Sequence, residues 1–409
     1  MLVPEQRDDA FEIHELPRGG QILVWGDFVA QLSAYPETIK DTMDSAYGVP
    51  DVFILPEHLF DIAIGVSRAE VEFPTYFNFY LRNRKTTFVC RKTQIKPLMR
   101  VLQEAIFGPK TVRSDDYSSS TPTANLREEM AYFKKDAKRP KGRLTIRDMV
   151  AFEVFDENGR ATVKGVTITA LGSDRYRFEA DGNAREHTFR PLPKPLPLPS
   201  STRRYSPPFF GVTVIGSGHG FDPDSVTSGF IIWLNGRGVL VDPPVDTTRW
   251  MRVNGVDSRL IEDVILTHCH ADHDAGTLQK VLEEGRISIH TTRTIIDSFT
   301  RKYRGLLGLN HEQVSALFDF HPIHVNEVVN IAGGLFRFVY NFHPIPTLGF
   351  DVSFQGKRVA YSGDNLNDQV MLTQLRDEGL FSESRLQELL QFRWDADIIL
   401  HEAGVPPIH

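Results

Sequence analysis

The run Val264, Ile265, Leu266, Thr267, His268, Cys269, His270, Ala271, Asp272, His273, Asp274, Ala275, Gly276 passes from an apolar strand-like stretch into three imidazoles and two carboxylates within seven residues. Neutral imidazole and carboxylate are the ligands that suit Zn²⁺ and its neighbours. One tight turn cannot aim all four ligands of an H-x-H-x-D-H spacing at a single ion. Alternate residues, His268 and His270, can point to one side, which leaves Asp272 and His273 for a second ion. Cys269 should alternate away from both and reads as a filler. The competing reading is a polar loop rich in histidine. The density of the spacing, the strand-then-loop setting and the candidates downstream all disfavour it.

Those further candidates also follow strand-like runs. His343 comes after the stretch 336–342, Asp364 after 358–361, and His401 with Glu402 after 398–400. Asp242 closes an expected hairpin, 230–234 and 238–241, built around Asn235-Gly236. His409 lies eight residues beyond His401. Strand ends are where a rigid sheet can hold ligands while loops leave room for substrate. His14, His58, His187, His290, His311, His321 and His324 read as surface or hydrogen-bonded histidines. His219, in a glycine-rich loop after the strand 212–215, is a candidate for the pocket rim.

Around this centre the chain divides by composition. Its 409 residues, 41% hydrophobic and 24% charged, fit a globular protein of two or three domains. Residues 191–208 contain seven prolines in eighteen positions and read as a polyproline spacer. We therefore expect an α+β N-terminal region over 1–110, then a loop, a short helix and a small antiparallel sheet over 111–190. The linker 191–208 follows, and the metal-binding domain spans 209–409. Within the first region, strands are expected at 22–24 and 52–54 and a helix at 94–107. The aromatic cluster at 73–80 reads as core. The basic run Lys134, Lys135, Lys138, Arg139, Lys141, Arg143 reads as a solvated face. In the last region, helices are expected at 277–284, 294–303 and 310–318, alternating with short strands.

The net charge of −7 is uneven: 16 basic and 25 acidic residues from Phe209 onward leave about −9 there and +2 before it. An acidic catalytic half disfavours a long nucleic acid as substrate. The sequence contains no apolar run approaching the ~20 residues of a membrane span. The acidic, polar start is unlike a signal peptide. With only Cys90 and Cys269 there is no disulfide framework, so the expected compartment is the cytoplasm.

From about Phe209 to His409 the chain resembles the metallo-β-lactamase superfamily, with Asp242, the H-x-H-x-D-H run, His343, Asp364 and His409 in order. The resemblance implies an α/β fold, specifically an αβ/βα sandwich with a two-metal site at the sheet edge. It implies that His268, His270 and His343 hold one ion and that Asp272, His273 and His409 hold the other, with Asp364 between them. Asp242 then orients a ligand histidine from behind, and Asp274 stands in the same supporting shell. The ions would be zinc, with manganese or iron also compatible with these ligands. Superfamily members normally continue past the histidine that His409 matches, so the sequence reads as one that ends inside the domain.

Fold does not set the reaction. Asp274 and Gly276 after the motif, Ser362-Gly363 before Asp364, and the His401-Glu402 pair resemble the ribonuclease Z-like and cyclic nucleotide phosphodiesterase members. Pro346, Thr347 and Gly349 after His343 depart from the thioesterase form. The expectation is a binuclear phosphodiesterase acting on cyclic nucleotides through a metal-bridging hydroxide. Asp272 would accept the proton, and His401, oriented by Glu402, would serve the leaving group. The alternatives are a ribonuclease Z-like endoribonuclease, a thioesterase or lactonase, and a non-catalytic metal sensor. The expected partner is a small phosphodiester, with nucleic acid less favoured, no membrane, and room for a homodimer.

Overall fold

The computed structural model describes residues 10–32, 39–117, 124–136, 139–189, 204–285 and 287–403. His409, Lys138 and most of the proline-rich segment lie outside them, and the side chains of Arg139 and Lys141 are not described. The chain forms two compact units, one from residues 1–99, 145–197 and 305–308, the other from 100–144, 198–304 and 309–409. Both are discontinuous in sequence: residues 111–144 fall in the second unit and the small antiparallel sheet in the first.

In the first unit a six-stranded mixed sheet runs through Glu12–Glu15, Gln21–Trp25, Phe28–Leu32, Val52–Ile54, Thr86–Cys90 and Val150–Val154. A four-stranded antiparallel meander, Arg160–Val163, Val166–Gly172, Arg175–Ala180 and Asn183–Thr188, packs on it. Period-two alternation supplies the meander's buried face: Val166, Ile168, Tyr176 and Phe178 join Leu23, Ala30, Val52 and Val89 in one apolar core. Val150–Val154 departs from the expected small sheet and instead pairs parallel with Thr86–Cys90. A parallel neighbour needs a long crossover, and the helix Ile146–Met149, closed by a Thr145–Asp148 capping box, delivers the strand from the far end.

In the second unit two sheets face each other. The six-stranded sheet is ordered Phe210–Gly216, Gly229–Leu234, Arg237–Val241, Asp263–Ile265, Ser288–Thr291, Asp319–Pro322, antiparallel at first and parallel from Arg237–Val241 onward. The five-stranded sheet is Val328–Ile331, Gly334–Tyr340, Leu348–Phe354, Lys357–Tyr361, Ile398–Leu400. Phe230 meets Tyr361 edge-on with ring centres 4.9 Å apart, which seats one sheet on the other. Helices Ala271–Glu284, Arg293–Leu307, Gln369–Asp377 and Glu383–Leu390 complete the αβ/βα sandwich expected from the resemblance. The expected hairpin forms around Asn235 and Gly236, both at positive φ as a two-residue turn requires.

Residues 100–144 belong to this unit through buried charge as well as apolar packing. Arg385, 1% exposed, donates from Nε and Nη2 to the two oxygens of Glu129 at 3.0 and 2.8 Å and from Nη1 to the Tyr340 carbonyl at 2.8 Å. Glu388 completes the arrangement at 2.6 Å. The helix Leu126–Tyr132 is thereby fixed to the helix Glu383–Leu390. Lys134 and Lys135 lie over the rings of Phe107 and Tyr132, and Arg143 is 3.6 Å from Glu128.

Candidate metal centre

The strand Asp263–Ile265 is buried through Val264 and Ile265, and Leu266 and Thr267 continue it inward. The helix then begins at Ala271, six residues earlier than expected, with His270 in extended conformation as its N-cap. The early start has a physical reason. Asp272 and Asp274 stand in the first turn, where the helix dipole favours carboxylates. His268 and His270 therefore come from the strand end, and Asp272 and His273 from a helical turn. The same helix lies against the chain after Asp242. A Cβ on Gly276 would be 2.1 Å from the Pro243 carbonyl oxygen, so only glycine permits this approach.

The ring nitrogens converge. His268 Nε2 and His343 Nε2 each lie 3.1 Å from His270 Nδ1, and Asp364 Oδ2 lies 3.5 Å from His268 Nε2 and 3.8 Å from His343 Nε2. A tetrahedron with bonds of ~2.0–2.1 Å has edges of about 3.3–3.4 Å. These four donor atoms have the spacing of such a ligand set, and all four residues are buried. On the other side His273 Nε2 lies 3.3 Å from Asp364 Oδ1 and 3.9 Å from Asp272 Oδ2. The two oxygens of Asp364 thus face two different groups of donors. His409, the third member expected on this side, lies outside the described residues.

Asp242, fully buried, connects the two groups from behind. Its Oδ1 accepts the Thr267 N–H at 2.8 Å, and its Oδ2 accepts the Thr267 hydroxyl at 2.5 Å and His273 Nδ1–H at 3.0 Å. The Thr267 hydroxyl in turn lies 3.0 Å from His268 Nδ1. One carboxylate therefore fixes the tautomer of His273 directly and of His268 through Thr267, leaving both Nε2 lone pairs turned to the cluster. Asn in place of Asp242 would put a donor against His273 Nδ1–H. We expect D242N to lower metal affinity by about 10–100-fold, as replacement of such partners does elsewhere, read by calorimetric titration with Zn²⁺.

Asp274 points away from the cluster. Its Oδ1 and Oδ2 lie 2.9 and 2.8 Å from Lys302 Nζ, which also donates to the Cys269 carbonyl at 2.8 Å. The Tyr303 hydroxyl joins Asp274 at 3.1 Å. This buried ion pair ties the motif's backbone to the helix Arg293–Leu307. Cys269 is buried with Sγ 3.6 Å from the Ile295 carbonyl oxygen, on the side away from the histidines. Asp364 sits on a turn that only glycine allows: Gly363 has φ +59°, and a Cβ there would be 2.3 Å from the Leu348 carbonyl oxygen. Asn341 donates to the carbonyls of Ser362 and Asp364 at 2.6 and 3.0 Å. Across the sandwich, Leu348 N–H reaches the Thr267 carbonyl at 3.2 Å, so the ligand-bearing ends of the two sheets meet.

The electrostatics suit a cation. Burial, together with the imidazole of His273, pushes His268 well below the ordinary histidine range and keeps it neutral. Burial alone would raise the Asp364 carboxyl, but His273 and His268 hold it well below the usual carboxylate range. Burial opposes charge on His273, yet Asp364, Asp272 and Asp242 raise it well above its ordinary value. Three carboxylates around one imidazole attract positive charge, which a bound ion would supply.

His401 and Glu402 are placed differently from expectation. The Glu402 carboxylate accepts the N–H of Asn365, next to Asp364. His401 Nδ1 bonds the Glu402 carbonyl oxygen at 2.8 Å, and its ring is stacked on Trp394 and edge-on to Phe392. The reason is chain direction: after the strand Ile398–Leu400 successive side chains diverge, and it is the main chain of Glu402 that meets its neighbour's ring. His219 is exposed at the loop tip, and it is the next residue, Gly220, whose N–H meets Asp272. Thr267, Lys302, Tyr303 and Asn341 were not anticipated. Thr267 carried a faint signal by standing directly before the motif; the others are brought in from separate elements.

Residues 210–391 match the family described as Anti-Pycsar protein Apyc1. The cGMP-dependent 3',5'-cGMP phosphodiesterase A of Dictyostelium discoideum is 30% identical over 97% of this chain and 60% of its own length. The cAMP/cGMP-dependent 3',5'-cAMP/cGMP phosphodiesterase B of the same organism is 31% identical over 93% of this chain and 40% of its own. Ribonuclease Z of Thermobifida fusca (strain YX) is 28% identical over 34% of this chain and 45% of its own. The chain thus spans 60% and 40% of the length of the two phosphodiesterases that it matches. Its likeness is to the cyclic nucleotide phosphodiesterase and ribonuclease Z-like branch of the metallo-β-lactamase fold hydrolases.

Proposed function

We propose that the likeness to these phosphodiesterases extends to the chemistry, and that this chain is a dinuclear metal-dependent phosphodiesterase acting on cyclic nucleotides. The observation that carries the proposal is Asp364, whose Oδ2 faces His268 and His343 while its Oδ1 faces His273. A carboxylate divided in this way fits two ions a few ångströms apart. His268, His270, His343 and Asp364 would hold one, and His273, Asp272 and Asp364 the other, with His409 as a further candidate. Two divalent cations, zinc being the natural choice for this donor set with manganese or iron as alternatives, supply Lewis acidity: they lower the pKa of water and neutralise charge on a phosphoryl group.

The chain's own groups do the rest. Asp272 is held through Oδ2 by the Gly220 N–H at 3.0 Å, which leaves Oδ1 to receive the proton of the attacking water. His401 keeps Nδ1–H on the Glu402 carbonyl, with its Nε2 3.5 Å from the Asn367 amide nitrogen; as the imidazolium it would hand the Nε2 proton to the leaving sugar oxygen and return to the neutral ring. The indole of Trp394 holds the ring in that attitude. We expect H401A to retain its metal and to lose about 10²–10⁴-fold in turnover. Unchanged turnover would remove His401 from the mechanism.

The reading is tested by loading the purified protein with Zn²⁺ or Mn²⁺ and assaying cyclic AMP, cyclic GMP, a bis-aryl phosphate, a precursor tRNA and a thioester. Hydrolysis of the cyclic nucleotides is expected. Preference for the RNA or the thioester would overturn it. Among the described residues no helix is long and apolar enough to cross a membrane; a cytoplasmic site of action and a homodimer belong to the same proposal.

A further inference from the structure

The loop between the strands Phe210–Gly216 and Gly229–Leu234 is folded more tightly than a surface connection requires. Gly218 pairs with Thr227 in an isolated bridge, its N–H reaches the Val226 carbonyl at 2.9 Å, and the Ser228 hydroxyl donates to the Gly218 carbonyl at 3.0 Å. A Cβ on Gly216 would lie 2.2 Å from the Thr227 carbonyl oxygen, so the two limbs are pressed together. At the tip, Asp222 N–H bonds the His219 carbonyl at 3.1 Å and Phe221 N–H bonds His219 Nδ1 at 3.1 Å. The closed loop directs the Gly220 amide at Asp272, its N–H 3.0 Å from Oδ2.

We infer that Gly220 is a positioning residue: its amide holds Asp272 Oδ2, the oxygen on the side of His273, toward the second ion and leaves Oδ1 for the proton, and the loop 217–228 is the holder of that amide. This rests on the dinuclear reading above and deepens it. Asp272 stands in the first turn of a helix, and His273 Nε2 at 3.9 Å is too distant to hydrogen-bond it. A hydrogen bond to an ionised carboxylate is among the stronger ones available and can set the rotamer. The loop thereby becomes part of the second binding site without supplying a ligand, while the first set of His268, His270 and His343 is independent of it.

The test is metal stoichiometry. The wild type, G220A and G220P are saturated with Zn²⁺, passed through a desalting column and analysed by mass spectrometry. Alanine keeps the N–H and proline removes it. We expect two ions in the wild type and G220A but one in G220P, with circular dichroism unchanged. Two tightly held ions in G220P, or equal loss in G220A, would overturn the inference. No ion in the wild type would instead overturn the dinuclear reading itself. Because proline could disturb the loop, a second measurement uses wild-type protein labelled with ¹⁵N-glycine, the Gly220 resonance being identified by its absence in G220A. That amide should shift with the second equivalent of Zn²⁺ and not with the first; a shift complete at one equivalent would refute the assignment.

Discussion

Replacing Asp364 with alanine should abolish tight binding of both ions together and lower kcat by at least about 10³-fold. The estimate follows from its geometry. Removing a group that merely orients a ligand costs 10–100-fold in metal affinity or activity, and Asp364 faces donors on both sides at 3.3–3.8 Å. H343A, which removes a donor from only one side, should leave one ion bound. Metal analysis of the two variants, alongside turnover on cyclic AMP, separates a shared ligand from a one-sided one. If D364A kept two ions, the divided carboxylate would be irrelevant to binding. The fold should survive in both variants, because the turn carrying Asp364 is held by Asn341 through main-chain carbonyls, not through the Asp364 side chain.

The largest effect on stability should come from Arg385. Its guanidinium is buried among Glu129, Glu388 and the Tyr340 carbonyl. Burial alone would lower its pKa, but Glu129 and Glu388 more than offset this and keep it charged. R385M removes the cation that Glu129 and Glu388 share, leaving Glu129 buried without its counter-charge while Glu388 keeps the Asn326 amide at 2.8 Å. Breaking such a pair costs about 3–5 kcal/mol, which for a unit of this size is on the order of 10 °C in melting temperature. The double variant R385M/E129L removes both members of the principal pair, and much of the loss should be recovered, since well-packed apolar replacements of buried pairs are often neutral. Thermal unfolding followed by circular dichroism reads both. A single variant as stable as wild type would mean that the helix Leu126–Tyr132 is held by its apolar contacts alone.

The two residues differ in how visible they were beforehand. Asp364 was legible because it follows a strand and a Ser-Gly pair within an ordered series of motifs. Arg385 and Glu129 are 256 positions apart, each within an ordinary amphipathic stretch, and neither differs locally from a surface charge. The strands of the metal-bearing unit were likewise readable, since buried runs such as Gly229–Leu234 and Arg237–Val241 flank an Asn-Gly turn that has few other uses. The strand Val150–Val154 was not, because apolar–polar alternation states that a segment is a strand but not which sheet accepts it. The start of the helix at Ala271 was missed for a related reason. A polar, histidine-rich segment has no apolar period to mark a helix, and the turn forms because carboxylates favour its N-terminus and Gly276 lets it pack.

The sequence by itself determined the candidate donors and their order: which imidazoles and carboxylates follow which strands, with a spacing that points to two ions. Those are local facts, set by the period of a strand and the chemistry of each side chain. Only the tertiary structure decided which nitrogen of each ring faces inward, that Asp242 acts on His268 through Thr267, that Glu402 holds Asn365 with its carboxylate and His401 with its carbonyl, and that an amide from a distant loop reaches Asp272. Tautomers and rotamers are fixed by partners arriving from other elements, and hydrogen bonds reach only about 3 Å, so their identity exists only once the sheets have been brought together.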